Sequence, residues 1–207
     1  MSASYQIRAK DSSGVLQAII TDFLELAYTK QVNAPGVASF RLLAGHSAIA
    51  DFEHKGQIEI WRRNADLGID WYCDFYGLYL DHGYEYTDRD LFTAICPGTN
   101  WLLSTRHVMW YAGTADRSEF ASKKAETIMK TLVDYNAGPN ATVGNGRIRN
   151  GAITGLSVQA DGANGNTLDW CCAWENLLTT LQDLARVADG DFDLLRIGAT
   201  TTEFRWY

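Results

Sequence analysis

IDWYCDFYGL at residues 69–78 and LFTAIC at residues 91–96 carry the clearest structural signal in the chain. The first stretch alternates large and small or polar side chains, as a half-buried β-strand does. The second is apolar on both faces, which predicts a strand covered on both sides, as in a closed or strongly curled sheet. Similar strands, separated by turn signals at spacings of about ten residues, extend back toward the N-terminus. Together they predict a β-barrel or a β-sandwich.

Helical periodicity replaces this alternation after about residue 98. Residues 119–136 and 174–188 repeat apolar side chains at i, i+3 and i+4, which predicts two amphipathic helices. Thr167 or Asp169 is the expected N-cap of the second helix, because either side chain can accept a hydrogen bond from a free helical N–H group. Trp174 is then expected on the buried face of that helix.

The rest of the sequence after about residue 98 predicts loops and a closing hairpin. Residues 138–166 are rich in Gly and Asn and predict a loop with one or two weak strands. Residues 192–197 and 202–207 alternate on either side of a short turn and predict a β-hairpin. The expected fold class is therefore α+β. An N-terminal β-barrel or sandwich of antiparallel strands is predicted over 1–105, and a mixed α/β domain with two amphipathic helices and a C-terminal hairpin over 106–207.

Composition and charge restrict the possible partners. Of the 207 residues, 46% are apolar and 21% charged, so the chain can bury a sizeable core. Its net charge of −7 argues against duplex DNA or an anionic membrane as the main partner, because both require clustered Lys and Arg. No apolar run approaches the ~18–20 residues of a membrane span, and residues 1–10 carry no secretory signal. We expect four reduced cysteines and synthesis in a reducing cytoplasm.

The aromatic content is the unusual feature of the composition. Seven Trp, ten Tyr and eight Phe make up 12% of the chain, more than a core alone requires. Trp71 and Trp174 follow apolar faces and are expected in the core. Four further aromatic residues lie on the opposite faces or at the ends of strands, where a position in the core and one in a subunit interface are equally plausible. The four residues predicted as interface candidates are Trp61, Tyr72, Tyr76 and Trp110.

No catalytic, cofactor-binding or metal-binding motif is recognisable, so no cofactor and no enzymatic activity are expected. The four histidines lack the spacing of metal ligands. The acidic turn at residues 189–193 lacks the Gly and Glu of a calcium-binding loop. Residues 144–149, GNGRIR, lack the third glycine of a phosphate-binding loop. They are expected to form a flexible turn whose two arginines, Arg147 and Arg149, lie on the surface.

Two alternative interpretations of the sequence give the chain a binding or a catalytic function. The acidic stretch at residues 81–90 places Glu85 beside tyrosines, as a sugar-binding site or a weak glycoside hydrolase would. A cell-wall or carbohydrate-binding module, or a weak lysin, is therefore the first alternative. The second alternative is a β-barrel that binds a small ligand, with aromatic side chains lining its pocket.

Taken in order, a succession of short motifs resembles the minor tail or baseplate hub proteins of tailed bacteriophages, of the kind common in siphophages. The resemblance covers nearly the whole chain, although each motif is short and hydrophobic. The motifs are DFLELAY at 22–28, VNAPGVASFRL at 32–42, QIEIWR at 57–62, DFYG at 74–77, PGTNWLL at 97–103 with Arg106, AETIMKTL at 125–132, WENLL at 174–178 and Phe204-Arg205.

This resemblance implies a structural virion protein, assembled in the host cytoplasm and located in the viral tail. Such hubs form a homotrimer whose tube-like barrel domains continue the tail tube. The implied partners are copies of the chain, the tail tube, distal tail proteins, and tape measure or tail fibre proteins. DNA passes through the channel without specific binding, and the net charge of −7 suggests an acidic lumen that repels phosphate. No catalytic residue is implied.

Overall fold

The computed structural model describes residues 3–86, 88–109 and 116–207. The chain divides into two compact units. The first comprises Met1–Gln31 and Pro35–Thr99, and the second comprises Val32–Ala34 and Asn100–Tyr207. The predicted α+β class is confirmed, because strands dominate the first unit and the second combines helices with small sheets.

The first unit consists of two four-stranded antiparallel sheets. In order along the chain, the strands are β1 (Ser4–Lys10), β2 (Leu16–Ile20), β3 (Glu25–Thr29), β4 (Val37–Leu43), β5 (Gln57–Asn64), β6 (Ile69–Leu78), β7 (Asp81–Tyr86) and β8 (Asp90–Pro97). One sheet has the order β2-β1-β5-β6 and the other β3-β4-β8-β7. Two short 3-10 helices, Ser47–Asp51 and Ala65–Leu67, connect strands.

Alternation along the strands builds the core of this unit. Ile7 on β1 lies opposite Ile60 on β5 and opposite Ile20 on β2, and all three side chains are buried. Their neighbours along each strand point to the other face of the sheet, because side chains alternate with a period of two. The second sheet contributes Phe40 and Phe92, which are also fully buried.

Of the two predicted alternatives, a β-barrel or a β-sandwich, the described strands do not form a closed barrel. Among the described strands, β6 forms a ladder only with β5 and β7 only with β8, and a single isolated bridge from Gly77 to Gly98 joins β6 to the chain just after β8, so the two sheets do not close into a barrel. The apolar outer positions of β8 explain the expectation of a closed sheet. Phe92, Ala94 and Cys96 are buried, but Ile95 on the opposite face is 46% exposed. The strand is therefore covered on one face, and its second apolar face lies on the surface of the unit.

The second unit packs helices against small sheets. Its elements are α1 (Trp101–Ser104), β9 (Ser118–Lys124), α2 (Ala125–Asn136), a 3-10 helix (Val143–Asn145), β10 (Leu156–Val158), β11 (Thr167–Cys172), α3 (Leu177–Ala188), β12 (Phe192–Arg196) and β13 (Thr202–Trp206). β9 and β11 form an antiparallel pair. The second sheet has the order β10-β13-β12, with β12 and β13 forming the predicted closing hairpin.

Both predicted helices exist, but each begins later than predicted. The chain before α2 forms β9, whose partner strand β11 comes from residues far along the sequence. Thr167 and Asp169 lie in β11 and do not cap α3. The N-cap of α3 is Asn176, whose side-chain oxygen accepts a hydrogen bond from the Thr179 N–H at 3.3 Å. Before α2, a distant strand partner thus overrides the local helical pattern. Before α3, residues 174–177 instead hydrogen-bond to residues 106–108.

The facing sides of α2 and α3 form the core of this unit. Met129, Leu132, Leu181 and Leu184 are completely buried, together with Phe204 from β13. They belong to a larger cluster of buried apolar side chains, whose removal from water is the main stabilising contribution to such a fold. Within the described ranges, no helix has both the length and the apolar character needed to cross a membrane.

Candidate assembly surfaces

Trp61 on β5 packs against side chains of its own sheet. Its indole N–H donates to the Glu59 carboxylate at 2.7 Å, and the Arg8 guanidinium lies 3.8 Å from the ring centroid. Glu59 is 2% exposed and also forms an ion pair with Lys10. A buried carboxylate is tolerated only when it is paired in this way. Trp61 therefore completes a polar layer on the outer face of the first sheet and is half-buried.

The other predicted interface residues fall into different environments. Tyr76 on β6 lies opposite Glu59, so it shares the outer face with Trp61, and it is half-buried. Tyr72 lies opposite Arg62, on the other face, and is 40% exposed. Trp110 lies outside the described residues. The structure thus brings Trp61 and Tyr76 together and leaves Tyr72 the most exposed of the three.

Asp74 on β6 joins the two sheets at one end of the first unit. The Tyr28 hydroxyl on β3 donates to the Asp74 carboxylate at 2.6 Å, and Lys30 forms an ion pair with the same group. Burial by itself raises the pKa of Asp74, but the hydrogen bonds from Lys30 and Tyr28 outweigh it and hold that pKa below its usual range. The carboxylate is charged at neutral pH and links the sheets electrostatically.

The edge strand β7 carries a row of exposed aromatic side chains, which we call the aromatic edge: His82, Tyr84 and Tyr86. Tyr84 lies opposite the buried Phe92, with ring centroids 5.4 Å apart in an edge-to-face arrangement. Tyr84 and Tyr86 stack at 6.2 Å and are 44% and 75% exposed. The row therefore leads from the core to the surface. Large exposed aromatic groups of this kind are enriched in protein interfaces.

Beyond the aromatic edge, the outer face of the second sheet carries exposed apolar side chains among polar ones such as Ser39 and Arg41. Val37, Leu43 and Ile95 share this face by register and are 41%, 49% and 46% exposed. The edge strand β2 adds Leu16 and Ile19, which are 44% and 51% exposed. Edge strands present unpaired backbone groups that can add a strand from another chain. The first unit thus offers both backbone and side-chain contacts for assembly.

The acidic motifs do not form a recognisable catalytic or metal centre. Glu85 on β7 lies opposite Leu91 and is exposed. In the acidic turn after α3, Asp191 accepts a hydrogen bond from the Asn33 side chain at 2.8 Å, and Asp193 is half-buried. Over the described part of the chain, no group of three or more His, Cys, Asp or Glu is placed to hold a metal ion.

Two further expectations about single residues are wrong. Arg147 was expected on the surface, but it is 8% exposed and donates to the Tyr135 carbonyl and the Asn136 side chain. Trp174 was expected in the core, but it is 58% exposed and precedes α3 with a positive φ of 65°. Trp174 misses the buried face because α3 begins three residues after it. Both residues belong to the second unit.

Solved structures with a similar fold include two prophage tail proteins and a chain of a PdpA–VgrG complex. Prophage tail protein gp18 from Listeria monocytogenes EGD-e matches 96% of this chain and 50% of its own, with a TM-score of 0.54 and 9% identity. The 43 kDa tail protein of prophage MuSo2 from Shewanella oneidensis matches 98% of this chain and 54% of its own, with a TM-score of 0.51 and 12% identity. A chain of the PdpA–VgrG complex, lidless, matches 100% of this chain and 35% of its own, with a TM-score of 0.55 and 9% identity.

These matches define the fold of the chain as that of phage-type tail proteins. The resemblance inferred from the sequence is thereby confirmed at the level of the fold. The chain spans about half or less of the length of these structures. No protein-family model and no curated protein sequence matches it.

The aromatic edge is a candidate surface that was not predicted as an interface. From the sequence, residues 81–90 are an acidic stretch, in which Glu85 beside tyrosines indicates a possible sugar site. The signal for an interface was the alternation in DHGYEY, which places His82, Tyr84 and Tyr86 on one face. Alternation alone does not show that β7 lies at the edge of a sheet, so the exposure of these rings depends on the tertiary fold.

Proposed function

We propose that this chain is a structural component of a phage-type tail tip, where copies form a hub ring that continues the tail tube and anchors distal tail proteins. The observation that carries the proposal is the fold, which matches prophage tail proteins over at least 96% of the chain. The role is structural and needs no catalytic group. The homotrimer implied by the sequence resemblance is the expected assembly.

Exposed features of the first unit support such an assembly. The aromatic edge offers rings that are only partly buried, and the strands β2 and β7 each have one side without a partner strand among the described residues. Copies placed edge to edge would bury apolar side chains and satisfy backbone groups at the same time. Tyr72 and the half-buried Trp61 and Tyr76 remain proposed contacts of this assembly.

The channel proposal follows from charge. A face rich in Asp and Glu is expected to line the ring, since like charge keeps DNA from adhering while it passes. The net charge of −7 and the acidic stretch at residues 81–90 support this arrangement. A neutral or basic lumen in an imaged ring would contradict it.

Native mass measurement of the purified full chain, combined with negative-stain imaging, tests the assembly. The expected result is a mass of three chains and a ring-shaped particle whose proportion rises with protein concentration. A chain that remains monomeric at every concentration, with no ring on the grid, would contradict the hub. Mixing with purified tail tube then tests whether rings stack on the tube end.

The carbohydrate-binding alternative rests on one observation, the exposed and mutually stacked Tyr84 and Tyr86 rings on one face of β7; Glu85 follows the opposite face of the strand. Aromatic rings commonly form the apolar surface on which sugar rings lie. Sedimentation with purified peptidoglycan, followed by zymography, tests this function. Binding or clearing that Glu85→Gln abolishes would support it. The small-ligand alternative requires a closed barrel, which the described strands of the first unit do not form.

A further inference from the structure

A cleft of about 580 Å³ in the second unit is lined by a concentration of positive charge. Arg106, Arg147 and Arg149 contribute to its walls together with His107, and no acidic residue is among the described residues that line it. This composition contrasts with the net charge of −7 on the whole chain. A local reversal of charge inside a concave site is a typical feature of a binding site for an anionic group.

Arg147 is the most unusual member of this cleft. Its guanidinium is held by the Tyr135 carbonyl at 3.0 Å and the Asn136 side-chain oxygen at 2.6 Å, both of which are neutral acceptors. Its Nε–H is buried and has no hydrogen-bond partner among the residues that the structure describes. A buried charge normally has both an opposite charge and satisfied hydrogen bonds. Within the described part of the chain, Arg147 has no opposite charge, and its Nε–H stays without a hydrogen bond.

Arg106 repeats this arrangement in the same cleft. It is half-buried and donates to the carbonyls of Gly151 and Thr105. Neither Arg106 nor Arg147 forms an ion pair with any described residue. Burial lowers the pKa of both groups, and for Arg147 the proximity of Arg106 contributes as well. Two desolvated arginines of like charge are stabilised when an anion binds between them.

Apolar side chains complete the cleft. Met109, Ile148 and Trp174 line it, and Ile148 and Trp174 are 69% and 58% exposed. Trp174 is held in the left-handed region by a hydrogen bond from its N–H to the Val108 carbonyl at 2.6 Å. A bulky side chain rarely adopts this conformation, and such outliers cluster at functional sites. Charged donors beside exposed apolar groups suit a polypeptide better than a free inorganic anion.

We propose that this cleft binds an acidic polypeptide segment of a partner protein, with its carboxylates on Arg106, Arg147 and Arg149 and its apolar side chains against Trp174 and Ile148. Three arginines in one cleft of an acidic chain are too few for a nucleic-acid track, which requires an extended basic stripe. The proposal stands independently of the tail-tip assembly, because its residues belong to the second unit alone.

Fluorescence anisotropy of the full chain with a labelled hexapeptide tests the proposal. The probe alternates Asp and Glu with Leu, and the matched control peptide carries Asn and Gln instead. We expect the acidic peptide to bind about tenfold or more tightly than the control, with an affinity that falls as salt is added. Equal binding of both peptides, or no binding of either, would overturn the proposal.

Arg149→Glu is the informative variant, because Arg149 is exposed and its replacement leaves the buried contacts of Arg147 intact. The variant is expected to weaken binding of the acidic peptide by about tenfold or more. Arg186→Glu is the control, since Arg186 is an exposed arginine of the same unit outside the cleft. If both variants weaken peptide binding equally, the assignment of the binding site to this cleft is wrong. An oligonucleotide or inorganic phosphate that binds in preference to the peptide would overturn its assignment to a polypeptide.

Discussion

The buried carboxylate of Glu126 forms an ion pair with the ammonium group of Lys130, one turn further along α2. Both side chains are 4% exposed. The Asn164 N–H and side-chain amide also donate to Glu126, at 2.8 and 2.7 Å, and Lys130 donates to the Ala160 carbonyl at 2.7 Å. The pair therefore holds the loop around residues 160–164 against α2 and is fully hydrogen-bonded in an apolar setting.

This pair predicts a specific loss of stability in acid. Burial by itself raises the pKa of Glu126, but the Lys130 ammonium and the N–H groups of Asn164 and Gly162 lower it from 4.5 to about 2. As the pH falls, the unfolded chain therefore binds a proton at the Glu126 carboxylate at a higher pH than the folded chain does. The stabilisation is complete above about pH 4.5 and is lost as the pH falls toward 2. Urea unfolding between pH 2 and 7, followed by far-UV circular dichroism, measures this loss.

Glu126→Gln is expected to remove most of this acid-sensitive contribution. At pH 7 the variant should unfold with a free energy lower by ~3 kcal/mol, because Lys130 stays buried without its counter-charge. Asp183→Asn is the control, since Asp183 pairs with Arg186 on the surface and its loss should cost under ~1 kcal/mol. If the two variants lose equal stability at pH 7, the ion pair does not stabilise the unit as described.

Asn33 is expected to stabilise the second unit although it lies between two strands of the first. Its side-chain oxygen accepts from the Phe192 N–H at 2.7 Å, its amide donates to Asp191 at 2.8 Å, and its φ is 57°. Asn33→Ala should lower the free energy of unfolding by ~2–3 kcal/mol, because it strands a backbone N–H and strains the left-handed backbone.

Asn33→Gly separates these two causes, since glycine accepts the positive φ and still lacks the side-chain bonds. It should be more stable than Asn33→Ala and less stable than the original chain. Thermal melts of the original chain and the two variants measure this order of stability. A glycine variant as stable as the original chain would show that the hydrogen bonds to residues 191 and 192 contribute nothing.

Leu181 and Val187 on α3 test how far the amphipathic face determines stability. Leu181 is completely buried between the helices, and Val187 is 53% exposed. Leu181→Ala should lower the free energy of unfolding by ~2–5 kcal/mol, because it leaves a cavity. Val187→Ala should change it by less than ~0.5 kcal/mol. Denaturant titrations compare the two, and a small effect at Leu181 would contradict the described core.

Tyr72 provides the cleanest test of the proposed assembly among the predicted interface residues. It is 40% exposed, whereas Trp61 is half-buried against Arg8 and Glu59 and its loss would disturb the sheet itself. Tyr72→Ser should weaken association of the copies by about tenfold or more, as expected for an aromatic residue central to an interface. The stability of the single chain should change by less than ~1 kcal/mol.

Leu67→Ser is the matched control for Tyr72→Ser, because Leu67 is 61% exposed in the same unit and is not a proposed contact. Sedimentation velocity over a range of concentrations measures both variants. Unchanged association of Tyr72→Ser would remove Tyr72 from the proposed interface. An equal decrease in both variants would point to a general effect of lost apolar surface.

Local patterns predicted the elements whose signal lies within a few residues of sequence. Alternation predicted strands before residue 69, and Ile7 on β1 and Ile60 on β5 are buried; the i, i+3, i+4 repeat over 174–188 predicted a helix, and Leu181 and Leu184 on α3 are buried. The order of short motifs was enough to indicate a tail-protein fold. These inferences succeed because strand and helix periods follow from backbone geometry, whatever the rest of the chain does.

Distant contacts decided what the local patterns left open. Residues 118–124 are strand because β11 lies beside them, and the barrel stays open because, among the described strands, β6 and β7 each form a ladder with only one neighbouring strand. The burial of Arg147 depends on acceptors from the end of α2, more than ten residues away. The sequence by itself determined the periodicity of its strands and helices. The tertiary structure alone decided which side chains meet, because hydrogen bonds and burial depend on segments whose proximity no local period encodes.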